Sequence, residues 1–147
     1  MGVQTDVVIA DLDDAQAIAE MATPTAEWDG FTFNGFDHVQ VCTLLSLLSA
    51  GRPDAEFQHY LGVVEPVAVG GEEGPVVVGV KPEQVAELAA VARLDEAEFE
   101  SLAASWAATE EFAGWSGSDV RELLRELGDL AESASLQGKC LMLWQSL

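Results

Sequence analysis

The sequence predicts an α+β fold: a mostly antiparallel sheet of about four strands, covered by helices, with both chain termini in the sheet. Three observations carry this expectation. A β-branched run opens the chain and a near-continuous apolar run closes it. Two further strand-like runs flank a glycine-rich turn at mid-chain, and helix-period apolar stripes gather mainly in the second half. Strands at both ends with grouped helices suit helices laid over one face of an antiparallel sheet, not alternating βα units. The 147 residues fit one domain over 1–147. At this length a core forms without a disulfide or metal staple.

Each element has a local reason. Residues 3–10 alternate Val3, Thr5, Val7 and Ile9 on one face with Val8 and Ala10 on the other. Asp11, Asp13 and Asp14 signal a short helix whose buried stripe is Ala15, Ile18, Ala19 and Ala22, ended by Pro24. Residues 23–36 read as irregular, rich in Gly and aromatics, with Phe31 and Phe33 alternating as in a brief strand. Most of Trp28, Phe31, Phe33 and Phe36 are expected to be buried, and an aromatic binding surface is the alternative. Asp37 opens a helix with the stripe Val41, Leu44, Leu45, Leu48, stopped by Gly51 and Pro53. A short helix over 54–61 follows, then a strand broken by Pro66, a turn over 70–75 and a buried β-branched strand over 76–80. Pro82 suits the first turn of a helix striped by Val85, Leu88, Ala89 and Ala92. Asp95 with Glu98 caps the next, packed through Phe99, Leu102, Ala103 and Trp106. Ser116 with Asp119, or Ser118 alone, caps a long helix from Val120 to Ala134, ended by Gly138. Residues 139–144 are the closing strand, and their unbroken apolar character places them centrally.

Charge decides what the domain is unsuited to. The chain carries 26 Asp and Glu against 6 Lys and Arg, a net of -20, spread over both halves. Such a surface repels phosphate backbones and anionic membranes, so neither nucleic acid nor membrane is an expected partner. No apolar run reaches the length of a membrane span, and residues 1–6 lack the basic start of a signal peptide. Cys42 and Cys140 lie far apart and form no disulfide framework, which suits the cytoplasm.

From residue 62 onward the order of motifs resembles the YfbM-like family, small bacterial domains of unknown function. The features are Val67-Ala68-Val69-Gly70-Gly71-Glu72-Glu73, a strand running into Lys81-Pro82-Glu83-Gln84-Val85, and a long helix followed by Leu136-Gln137-Gly138-Lys139-Cys140-Leu141-Met142-Leu143-Trp144. The helix over 36–51, with its closing glycine, is similar in position. The likeness spans roughly two thirds of the chain. Where the family shows a Trp and a His on the early helix, this chain has Cys42 and Ser46, and the Tyr-Pro element ahead of the long helix is missing. The resemblance implies an α+β fold and no particular activity.

Candidate chemistry is sparse. His38 and Cys42, one helical turn apart beside Asp37, have a spacing that zinc accepts, but no third or fourth ligand lies nearby in sequence. His59 and Cys140 are distant candidates. There is no nucleophile elbow, no phosphate loop and no dinucleotide fingerprint, so no catalytic residue is assigned and no cofactor is expected. Glu72-Glu73 and Glu110-Glu111 read as solvated surface. Trp115, flanked by Gly114 and Ser116, is expected to be partly exposed and, with Trp28, to serve as an interaction anchor. The resulting expectation is a non-enzymatic module that binds a basic protein partner through Trp28, Phe31, Phe33, Asp37, His38 and Trp115. The alternative is a small enzyme or metal- or ligand-binding domain around Asp37, His38, Cys42 and His59. A homodimer through an apolar face is a third.

Overall fold

The computed structural model describes residues 4–146. Val3, expected in the first strand, lies outside the described residues. Five antiparallel strands form one sheet in the order β2-β1-β5-β4-β3. They are β1 (Gln4–Ala10), β2 (Gly30–Asn34), β3 (Glu65–Val69), β4 (Val76–Val80) and β5 (Cys140–Ser146). The expectation of about four strands is corrected by β2, which the irregular aromatic stretch supplies: Phe31 and Phe33 pair with Val7 and Thr5 at the sheet edge. The closing strand does lie centrally, between β1 and β4.

Among the described residues six α-helices accompany the sheet: α1 (Ala15–Ala19), α2 (His38–Ala50), α3 (Phe57–Val63), α4 (Pro82–Ala89), α5 (Glu96–Ala107) and α6 (Gly117–Leu136). The main core packs α2, α4, α5 and α6 against the sheet face that carries Val7, Ile9, Val78, Val80, Leu141 and Leu143. A smaller core lies on the opposite face, where Ala15, Ile18 and Ala19 of α1 meet Val8, Ala10, Val77, Met142 and Trp144. Helices therefore cover both faces, not one. The reason is in the strands: β1 and β5 are apolar on both sides, and each side must leave water. α1 ends at Ala19, well before Pro24, and Ala22 is exposed rather than part of its stripe. α3 starts later than expected, at Phe57, because the residues before it turn back to hydrogen-bond Ser46.

Caps fall where their chemistry places them. Asp37 accepts the Val39 N–H and Gln40 reaches back to the Asp37 N–H, a capping box on α2. Asp95 and Glu98 do the same for α5, and Ser116 accepts the Asp119 N–H on α6. Pro66 sits on β3, an edge strand with a register shift between Pro66 and Ala68, where a missing donor does least harm.

Gly30 is where β2 presses on β1: a Cβ there would collide with the Val7 carbonyl oxygen. Gly62 in α3 faces open space. Gly62→Ala is expected to raise stability by about 0.5–1 kcal/mol through helix propensity, whereas Gly30→Ala lowers it by loosening the edge strand. Urea midpoints of the two variants against the parent check both signs.

Candidate functional site

At one end of the sheet the aromatics form a continuous ladder. Phe31 meets Phe33 edge-on at 5.9 Å, and Phe33 stacks on Trp115 at 6.1 Å. Trp115 meets Phe112 at 4.9 Å, Phe112 meets Trp106 at 4.7 Å, and Trp106 meets Phe36 at 6.5 Å. Phe36, Trp106 and Phe112 are buried, while Phe31, Phe33 and Trp115 are partly exposed, so the ladder runs from core to surface. Its inner end is pinned by polar bonds: Trp106 Nε1 donates to the Gln40 carbonyl at 2.9 Å and to Thr43 Oγ1 at 3.2 Å. Edge-to-face and offset geometries suit the ring quadrupoles and make the rungs a rigid unit.

The turn Glu110–Phe112 joins this ladder to a second feature. Phe112 points into the ladder, and Gln40 Nε2 donates to the Glu111 carbonyl at 3.1 Å. Glu110 and Glu111 then line a groove of about 360 Å³ with Thr43, Pro53, Asp54 and Phe57. Its apolar lining is Pro53, Phe57 and Ala108, and its acids are Asp54, Glu110 and Glu111. Arg52 is the one neighbouring base seen to pair there, at a loose 3.9 Å from Asp54, with both side chains exposed. An apolar slot with carboxylates has the chemistry to take the stem and charged head of an Arg or Lys side chain.

The residues singled out from sequence do not all converge. Phe31, Phe33 and Trp115 come together. Trp28 packs with the core on the opposite face of the sheet, so it cannot share a surface with Trp115. Asp37 is occupied as a helix cap. His38 is tied to Gln145, whose Oε1 accepts its backbone N–H at 2.9 Å and lies 3.2 Å from its Nδ1. Cys42 is fully buried in the main core, and burial, with a smaller push from the Asp37 charge, drives its thiol up to about 12. A thiol so placed is a packing group, since the thiolate is the nucleophile and ligand. His59 is exposed on α3, edge-on to Tyr60 at 5.1 Å. Among the described residues no three His, Cys, Asp or Glu side chains gather as metal ligands. No described helix is long and apolar enough to cross a membrane. Sequence reading missed the groove, because Asp54 and Phe57 stand some fifty residues from Glu110 and no local pattern links them.

One polar spot on the second face stands apart. Asp6, 1% exposed, accepts the Thr32 hydroxyl at 2.8 Å and longer bonds from Thr25 at 3.4 and 3.5 Å. Across the strand pair stands Trp144, whose buried Nε1 has no partner among the described residues.

Comparison with protein-family models, with curated proteins and with solved structures finds no match for this chain.

Three buried or half-buried acids hold their protons more firmly in the folded chain: Cys42, Cys140 and Tyr60 are all raised, each chiefly by burial. The unfolded chain ionises first, so the Cys42 contribution is complete below the ordinary thiol value of 9.0 and is lost as pH climbs toward about 12, and Cys140 and Tyr60 add to the same alkaline loss. Urea unfolding should show stability falling above about pH 9. Cys42→Ala should lie lower at neutral pH, from the cavity it leaves, but decline less steeply at alkaline pH.

Proposed function

We propose that this protein is a non-enzymatic interaction module that binds a basic protein partner, using the Phe31–Phe33–Trp115 rungs and the neighbouring acidic groove. The observation that carries the reading is their juxtaposition: a rigid aromatic patch and a slot bearing Asp54, Glu110 and Glu111, joined by one turn. Partly exposed aromatics held by buried ones supply anchors that lose little entropy on binding. A net charge of -20 steers a basic partner from a distance, and the local carboxylates fix its register. A cytoplasmic location belongs to the same proposal, supported by two buried free thiols that suit a reducing compartment. Membership of the YfbM-like domains also stays a proposal, resting on the order of motifs from residue 62 onward.

The test separates a local site from general attraction. A fluorescent nona-arginine peptide serves as the basic probe, and anisotropy follows its binding. Asp54→Asn/Glu110→Gln/Glu111→Gln is expected to weaken binding about tenfold, while the exposed control Glu20→Gln/Glu72→Gln/Glu73→Gln changes it less than about twofold. Trp115→Ala should also weaken it, by roughly tenfold. Equal losses from the two triple variants would reduce the reading to bulk charge and sink the proposed site.

A further inference from the structure

A second site is built at the opposite end of the strands. The antiparallel register sets Val80 beside Leu141 and Ala10 beside Cys140. It therefore gathers three chain segments at one end of the sheet: Asp11 after β1, Lys81 after β4, and Lys139 and Cys140 at the start of β5. Gly138, at φ 67, makes the left-handed turn that brings the chain from α6 to Lys139. The result is a cleft of about 640 Å³ whose wall includes Leu12, Val63, Lys81, Pro82, Gln84 and Lys139.

Four features of this cleft have one chemistry in common. Two of the six bases of a strongly acidic chain line it. Lys81 is held 3.6 Å from Glu65, but Lys139 has no carboxylate within ion-pair distance among the described residues. α4 begins here without a side-chain cap, so its first N–H groups, beyond Pro82, present the positive end of the helix. Gln84, in that first turn, is 6% exposed and lines the cleft, yet its amide has no hydrogen-bond partner among the described residues. Among the described residues the sealed side-chain atom without a partner is Trp144 Nε1, so the Gln84 amide, on a residue that lines the cleft, keeps access to its surroundings. No described residue occupies the Gln84 amide, so its donor and its acceptor are both free for a ligand in the cleft.

We propose that this cleft binds a small organic anion, with a carboxylate or phosphate head on the α4 N-terminus, Gln84 and Lys139, and a short apolar stem along Leu12, Val63 and Pro82. Leu12 supports the stem: it is one of the few large apolar side chains left half exposed, at 50%. Asp11 and Glu83, exposed at the same cleft, set the limit on charge. They repel each added negative charge, so a single carboxylate fits better than a phosphate monoester, and a monoester better than a di- or triphosphate. Recognition is short-range by necessity, because the far field of the chain opposes any anion.

Amide NMR titration of the whole chain at fixed ionic strength tests this, with pentanoate and butyl phosphate as the probes and acetate as the stemless control. The expected result is saturable shifts of the Glu83, Gln84, Lys139 and Cys140 amides with at least one stemmed probe, and weaker binding of acetate. Saturation by pentanoate alone assigns a carboxylate ligand, and by butyl phosphate alone a phosphate monoester. Lys139→Gln should weaken binding about tenfold or more, the scale of one charge-assisted bond. Gln84→Leu, which keeps the volume and an apolar contact within α4, should do likewise, and a dispersed spectrum shows that each variant is folded. No saturable shift with either stemmed probe, or affinities unchanged in both folded variants, would overturn the proposal.

Discussion

Everything in this structure depends on two strands that cannot face water on either side. β1 and β5 carry buried apolar residues at successive positions: Val7, Val8, Ile9 and Ala10 on one, Cys140 to Trp144 on the other. Lying side by side in register, they form a slab that needs cover on both faces. α6, α4 and α2 provide it on one side, and the short α1 with its flanking turns on the other. The asymmetry follows from chain economy. Among the described residues, the helix over the second face comes from the connection between β1 and β2, which holds the short α1.

Charge is the second constraint, and the fold manages it by keeping acids outside. The ion pairs seen are loose and exposed, at 3.6 to 3.9 Å, and add little to stability. Arg125 instead lies over the Phe99 ring at 4.4 Å, where its stem also covers apolar surface. Crowding has a local cost: burial first, then Glu122 and Asp129, make the Glu126 carboxyl harder to ionise. Asp6 is the exception, a carboxylate inside the second core held by threonine hydroxyls rather than by a cation. Self-repulsion of this size is compatible with folding because the apolar slab, not the surface, sets the cohesion.

How much of this was legible in the sequence follows the range of each interaction. Caps at Asp37, Asp95 and Ser116 are written within four residues, and each forms as read. The central position of β5 was legible from its composition alone, since only an interior strand tolerates so many adjacent apolar residues. β2 was half legible: alternating Phe31 and Phe33 hinted at a strand, but Gly30, Asn34 and Gly35 around them read as loop, and only pairing with β1 resolves the conflict. The groove and the cleft were not legible, because the groove joins residues from three distant segments and the cleft from four, and neither rests on a motif. The partition of Trp28 from Trp115 was invisible for a related reason. A sheet lies between them, and nothing local in sequence says on which side of it a loop tryptophan falls.

The two surfaces also owe their chemical contrast to the same register. β1 starts where β5 ends, so Thr5 and Gln145 lie together at the end where β2, His38 and the aromatic ladder assemble. β1 ends where β5 starts, and there the sheet meets the head of α4 and two lysines. The seven-residue strands separate the aromatic rungs from the head of α4, whereas the groove and the cleft lie at the two ends of the short α3, Phe57 lining one and Val63 the other. The proposed cation-seeking face and the proposed anion-seeking pocket are compatible on one acidic chain if the pocket works through hydrogen bonds fixed by backbone geometry rather than through net charge.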